Sequence, residues 1–151
     1  GDPLSPLLFL TVMEVLTRMI DAASSAGLIS GFSLRRPGSE LGELKVSHLL
    51  FADDTIVFCD NDCEQLVNLR CILIWFQAVS GLRVNLTKSS ILPVGRLDNI
   101  QLLAGVLGCK INVFTITYLG LLLSAKFKEE AIWDPIIGRF EKRLSGWKST
   151  Y

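Results

Sequence analysis

The chain has 151 residues, half of them hydrophobic, enough for one domain with a substantial core. Fifteen basic and fifteen acidic side chains balance, which excludes a global basic field; a polynucleotide partner would need a local groove of residues such as Arg35, Arg36, Lys88, Arg96, Lys142, Arg143 and Lys148. The four cysteines (Cys59, Cys63, Cys71, Cys109) show no C-x-x-C spacing and accompany a single histidine, so they are expected to be buried structural thiols of a reducing compartment rather than zinc ligands or a disulfide framework.

Ser5 followed by Pro6 predicts a helix start, with Ser5 as N-cap. Phe9, Val12, Met13, Leu16, Met19, Ile20 and Ala23 then recur at helical spacing up to a stop at Gly27. The opening GDPLSP places backbone N–H groups and a hydroxyl where a phosphate or sugar could bind, or it is a plain helix entry. Ile29 to Leu34 reads as a strand and Arg35 to Gly42 as a loop. Leu44 to Phe51 leads into HLLFADDTIVFCD (His48 to Asp60), a predicted hairpin whose tip carries Asp53 and Asp54.

That tip is a poor turn, because tight hairpins favour Asn-Gly or Asp-Gly. Two carboxylates about 4 Å apart repel by about 1 kcal/mol in water and about 4 kcal/mol at an effective dielectric of about 20, and a divalent cation reverses the sign. Mg²⁺ suits such oxygen ligands. A solvated surface pair fits this stretch equally well.

Beyond the hairpin, Asn61 to Glu64 resembles a capping box with Asn61 as N-cap. Leu66, Leu69, Leu73, Phe76 and Val79 line a helix ending at Gly81 and expected to cross the back of a sheet. Val84 to Leu86 reads as extended, Ser90 to Val94 as a strand and Ile100 to Leu107 as a short helix. Phe114 to Thr117 and Tyr118 to Leu123 suggest a hairpin bending near Tyr118-Leu119-Gly120. A last helix is predicted over Glu129 to Trp147, its beginning distorted by Pro135. The apolar run Ile111 to Ala125 is too short to span a bilayer, and no signal peptide is visible. With Gly1 in place of an initiator methionine, the chain is expected to be part of something longer. The element order is compatible with an α+β, ferredoxin-like split β-α-β arrangement presenting the acidic turn on one face.

GDPLSPLLF (Gly1 to Phe9), FADD (Phe51 to Asp54), GLRVNLTKSS (Gly81 to Ser90) and YLG (Tyr118 to Gly120) occur in an order and spacing that resembles the palm of reverse transcriptases, most closely those of plant-type non-LTR (LINE-type) retrotransposons. The resemblance implies a partial palm over residues 1–125 and the start of the thumb, or a connecting helix, over 126–151. It implies RNA-directed DNA polymerase chemistry with Mg²⁺ or Mn²⁺. Asp53 and Asp54 would form the metal-binding catalytic turn, and Lys88 would serve the departing pyrophosphate. Gly1, Asp2, Pro3 and Ser5 would lie along nucleotide and template, and Tyr118, Leu119 and Gly120 would grip the primer.

Implied partners are an RNA template, a DNA primer and deoxynucleoside triphosphates in the full-length protein, inside the cell in nucleus or cytoplasm, without a membrane. Phe51 stands where some members carry tyrosine. The family's first catalytic aspartate lies upstream of the GDPLSP block, and neither Asp2 nor Asp21 is a credible substitute. Without it, the fingers and most of the thumb, the chain is expected not to polymerise alone; a palm-derived relic or a module binding RNA or protein is the alternative. An ATPase reading would need G-x-x-x-x-G-K-[ST], and no such glycines precede Lys88-Ser89.

Overall fold

A computed structural model describes residues 4–34, 44–113, 116–119, 121–123, 137–138 and 140–141. The first helix, α1, runs Leu4–Ser25 and buries Met13, Leu16, Ile20 and Ala23, the periodic face seen in the sequence. It starts one residue before the expected cap, so Ser5 and Pro6 lie in its first turn, where proline's missing N–H costs no helical bond. Its end is a Schellman motif. Leu28 N–H donates to the Ala23 carbonyl (2.9 Å) and Gly27 N–H to that of Ser24 (3.2 Å), with Gly27 at φ +75°.

Two antiparallel hairpins follow, β1 (Phe32–Leu34) with β2 (Leu44–Val46), then β3 (His48–Phe51) with β4 (Asp54–Val57). The strand expected from Ile29 begins at Phe32, and Ile29 is instead fully buried in the core. The expected continuous run to Phe51 is interrupted at buried Ser47.

The next helix, α2 (Cys63–Ser80), is capped by Asp62 rather than Asn61: the Asp62 carboxylate accepts from Glu64 N–H at 3.0 Å. It ends at Gly81, φ +71°, as expected. Val79 does not line the core and is 72% exposed. Two apolar clusters meet along α2, which packs between helices: Leu66 and Leu69 join Ala23, Ile29 and Leu103, while Phe76 joins Met13, Leu16 and Ile20. Polar side chains of α2 reinforce this placement. Gln65 Oε1 accepts from Ser30 and Asp60 N–H (3.0 and 3.2 Å), Asn68 Nδ2 donates to the Leu28 carbonyl, and Arg70 donates to that of Val106 at 2.7 Å.

Val84 to Leu86 forms no strand, and Ser90 to Val94 shortens to β5 (Ser90–Ile91). Helix α3 (Ile100–Leu107) has the expected bounds and crosses over to β6 (Lys110–Ile111), which pairs parallel with β5. β7 (Ile116–Tyr118) and β8 (Leu121–Leu123) form the expected hairpin. Of the predicted last helix, Ile137, Gly138, Phe140 and Glu141 are described and helical, and the remainder lies outside the described residues. The α+β class therefore holds, but the described strands form four separate two-stranded ladders rather than one sheet.

All four thiols are free. Cys71 is exposed, contrary to the expectation of four buried cysteines, and the others are half-buried. Burial, with the Asp60 carboxylate beside it, pushes the Cys59 thiol up to about 11. An unfolded thiol releases its proton near 9.0, so the Cys59 contribution to stability is complete below that pH and is lost as pH rises towards 11. Two outcomes follow for iodoacetamide labelling and alkaline denaturation: Cys71 reacts first and Cys59 last, and Cys59→Ala reduces the loss of stability in that pH window.

Gly31 adopts φ +72°, and a Cβ there would lie 2.9 Å from the Val46 carbonyl oxygen and 3.2 Å from Ser47 Cα. Gly31→Ala should cost about 2–4 kcal/mol, from left-handed strain plus overpacking against backbone. At Gly81 (φ +71°) the space is open, and the same change should cost only about 1–2 kcal/mol. Urea midpoints of the two variants check this ordering.

Candidate functional site

The β3–β4 register is His48↔Val57, Leu49↔Ile56, Leu50↔Thr55 and Phe51↔Asp54, leaving Ala52 and Asp53 as a two-residue loop. The tip therefore differs from the predicted one. Asp53 is the second loop residue, whereas Asp54 is the first residue of β4. Ala52 takes the positive φ, +50°, at the first loop position. Positive φ thus falls on an alanine instead of either acid.

Cross-strand partners share a face and neighbours alternate. Leu50 and Val57 face inward against the core clusters, while Leu49 and Phe51 are exposed. Asp54, opposite Phe51, shares that outer face. Asp53 and Asp54 are both exposed. They present acceptor-only oxygens at the end of a hairpin whose root is packed, a donor set that suits a hard divalent cation completed by water or phosphate. Among the described residues, no group of three or more His, Cys, Asp or Glu side chains is placed to hold a metal.

The other expected site residues are dispersed along the chain. Lys88 is exposed at the end of a turn organised by Asn85, whose side-chain oxygen accepts from Lys88 N–H (3.2 Å) and Thr87 Oγ1 (2.6 Å). The Asn85 carbonyl accepts from the N–H groups of Lys88 and Ser89, both at 3.1 Å. No ion pair joins Lys88 to Asp53 or Asp54 among the described residues. Ser5 is exposed in the first turn of α1. Tyr118 is half-buried and pairs with Leu121 across a bend where Leu119 has φ +51°. Gly1, Asp2, Pro3 and Gly120 lie outside the described residues.

Sequence reasoning passed over a polar cluster at the root of the hairpin. Ser47 Oγ lies 3.1 Å from Asp21 Oδ1 and 2.9 Å from His48 Nδ1, whereas His48 Nδ1 and Asp21 Oδ1 are 3.7 Å apart. The Ser47 carbonyl accepts from Phe58 N–H at 2.9 Å. An open polar cleft beside this cluster is lined by Asp21, Ser24, Ser25, Lys45 and Ser47. The adjacency of Ser47 to the only histidine was the available signal, but Asp21 is remote in sequence and joins them only through α1.

A family model described as reverse transcriptase (RNA-dependent DNA polymerase) matches residues 1–123. The chain is also 40% identical over 55 residues to an uncharacterized mitochondrial protein of Arabidopsis thaliana, a stretch covering 36% of this chain and 41% of that protein. The match thus spans about two fifths of the relative's length.

The strained position in the turn is open to test. Ala52→Gly removes a left-handed penalty of about 1–2 kcal/mol at an entropic cost of about 0.5–1 kcal/mol, so a gain of about 0.5–1 kcal/mol is expected. Ala52→Val should destabilise, because a β-branched residue at positive φ is an outlier. Equilibrium urea unfolding measures both.

Proposed function

The chain belongs to the reverse transcriptase (RNA-dependent DNA polymerase) family, and from that premise we propose that it is the acidic-turn part of a polymerase palm of the non-LTR, LINE-type class. In the complete protein this part would serve RNA-templated addition of nucleotides to a DNA primer 3′-hydroxyl. The observation that carries the reading is the Phe51↔Asp54 register, which puts Asp53 in the loop and Asp54 beside it at the exposed end of an anchored hairpin.

Asp53 and Asp54 would hold Mg²⁺ or Mn²⁺, with water and nucleotide phosphates completing the coordination. When bound, two such cations supply Lewis-acid stabilisation to the attacking and leaving oxygens of an in-line displacement. The chain's residues supply position and charge. Lys88, on its Asn85-held turn, offers a cationic Nζ to the departing phosphate. Gly1, Asp2, Pro3 and Ser5 would lie along nucleotide and template, and Tyr118, Leu119 and Gly120 along the primer. Phosphoryl transfer draws most of its acceleration from such positioning and electrostatics. We assign the activity to an intracellular setting, nucleus or cytoplasm.

A second reading, a palm-derived module without catalysis, is favoured by the balance of fifteen basic and fifteen acidic side chains, which supplies no net basic field for a template and primer. It predicts that these 151 residues alone extend no primer. Metal binding separates the acidic-turn reading from an ordinary surface pair. Followed by water-proton relaxation, Mn²⁺ should bind the wild type weakly, and the Asp53→Asn, Asp54→Asn double variant at least about tenfold more weakly still, since changes even outside the ligand shell reach that size. Equal titration curves would remove the metal site from the proposal.

A further inference from the structure

The three side chains at the root of the acidic hairpin can be assigned protons by counting. A serine hydroxyl has one proton to give, and an ionised carboxylate only accepts. The Asp21 side chain is 60% exposed, and its Oδ1 is the oxygen that faces the serine. Ser47 Oγ–H therefore donates to Asp21 Oδ1 at 3.1 Å; the opposite orientation would leave two acceptors facing one another at that distance. With its proton committed, Ser47 Oγ can only accept from the ring nitrogen 2.9 Å away, which must be Nδ1–H. The 3.7 Å separation of ring and carboxylate is too long for a direct hydrogen bond, so the hydroxyl is the link.

We propose that Asp21 and Ser47 are positioning residues of the acidic turn, acting through a relay His48 Nδ1–H to Ser47 Oγ–H to Asp21 Oδ1 that locks the His48 ring and clamps the root of the β3–β4 hairpin onto α1. The clamp bears on the hairpin at two points. His48 is the first residue of β3, paired with Val57, and the Ser47 carbonyl holds Phe58 N–H just beyond β4. Ser47 is itself buried, and the absence of a side chain at Gly31 lets that segment approach its Cα. The lock keeps His48 in the Nδ1–H tautomer and leaves Nε2 without a proton when the ring is neutral. The inference rests on the proposed function only for what the turn does, not for the clamp.

Because the chain has one histidine, long-range ¹H–¹⁵N correlation of the labelled protein gives one imidazole pattern. In the wild type with a neutral ring, Nδ1 should be protonated and Nε2 not. Asp21→Ala frees the serine proton to point at Nδ1, so the ring should switch to Nε2–H. Asp21→Asn keeps an acceptor oxygen and should retain Nδ1–H. In Asp21→Ala and Ser47→Ala, Phe58 amide exchange should rise about tenfold while Leu66 and Leu69 on α2 stay unchanged, the size expected for losing a charge-assisted hydrogen bond.

An Nε2–H ring in the wild type, or no switch in Asp21→Ala, would overturn the relay. Loss of Nδ1–H in Asp21→Asn would replace it by a plain ion pair, and unchanged Phe58 exchange would overturn the clamp. None of these readouts involves metal, so failure of the clamp and failure of the Mn²⁺ titration are distinguishable.

Discussion

Val57 touches both apolar clusters, the one joining α1 to α2 through Phe76 and the one joining α2 to α3 through Leu66, Leu69 and Leu103. An isolated two-stranded hairpin is marginal in water. This one persists because its inner residues, Leu50 and Val57, are inserted where three helices converge. Each fully buried aliphatic side chain in those clusters contributes about 1.5–3 kcal/mol. The same contact fixes which face of the hairpin is free, so it also decides where Asp54 and Phe51 are displayed.

The features most legible in the sequence are those set by local chemistry. The apolar period of α1, the glycine stops at Gly27 and Gly81 and both ends of α3 could be read directly, because 3.6-residue spacing and positive-φ glycines are short-range signals. The N-cap of α2 was misread by one position since Asn61 and Asp62 are equally good capping types. What selected Asp62 is its extended backbone, φ −137° and ψ 123°, which composition does not record. β5 and β6 are two residues each and pair in parallel across a helix, too short for any alternation to register.

The candidate site was legible in its chemistry and misread in its geometry. An Asp pair between two apolar runs identifies a hairpin with acids near its tip, but composition does not say which two residues form the loop. Ladder register decides it: pairing Phe51 with Asp54 puts Ala52 first in the loop and in the left-handed region. The Asp21–Ser47–His48 cluster was invisible for a different reason. Its members come from α1 and from the junction of β2 and β3, and only the packing of those elements brings an exposed aspartate within reach of a buried serine.

The tip and the root of the hairpin are bound by one physical constraint. At the tip, a left-handed alanine opposes folding. Such a tip holds one conformation only if the strands beneath it are over-determined. Below it, β3 and β4 are held by core contacts at Leu50 and Val57, by a backbone bond from Phe58 to Ser47 and by polar contacts between Ser47 and α1. The strained residue lies at the exposed end beside Asp53 and Asp54, and the favourable contacts lie at least one residue pair further down the ladder. Strain at the exposed end is thus matched by redundancy at the root, and it is the anchored root that keeps Asp53 and Asp54 displayed at the end of the hairpin.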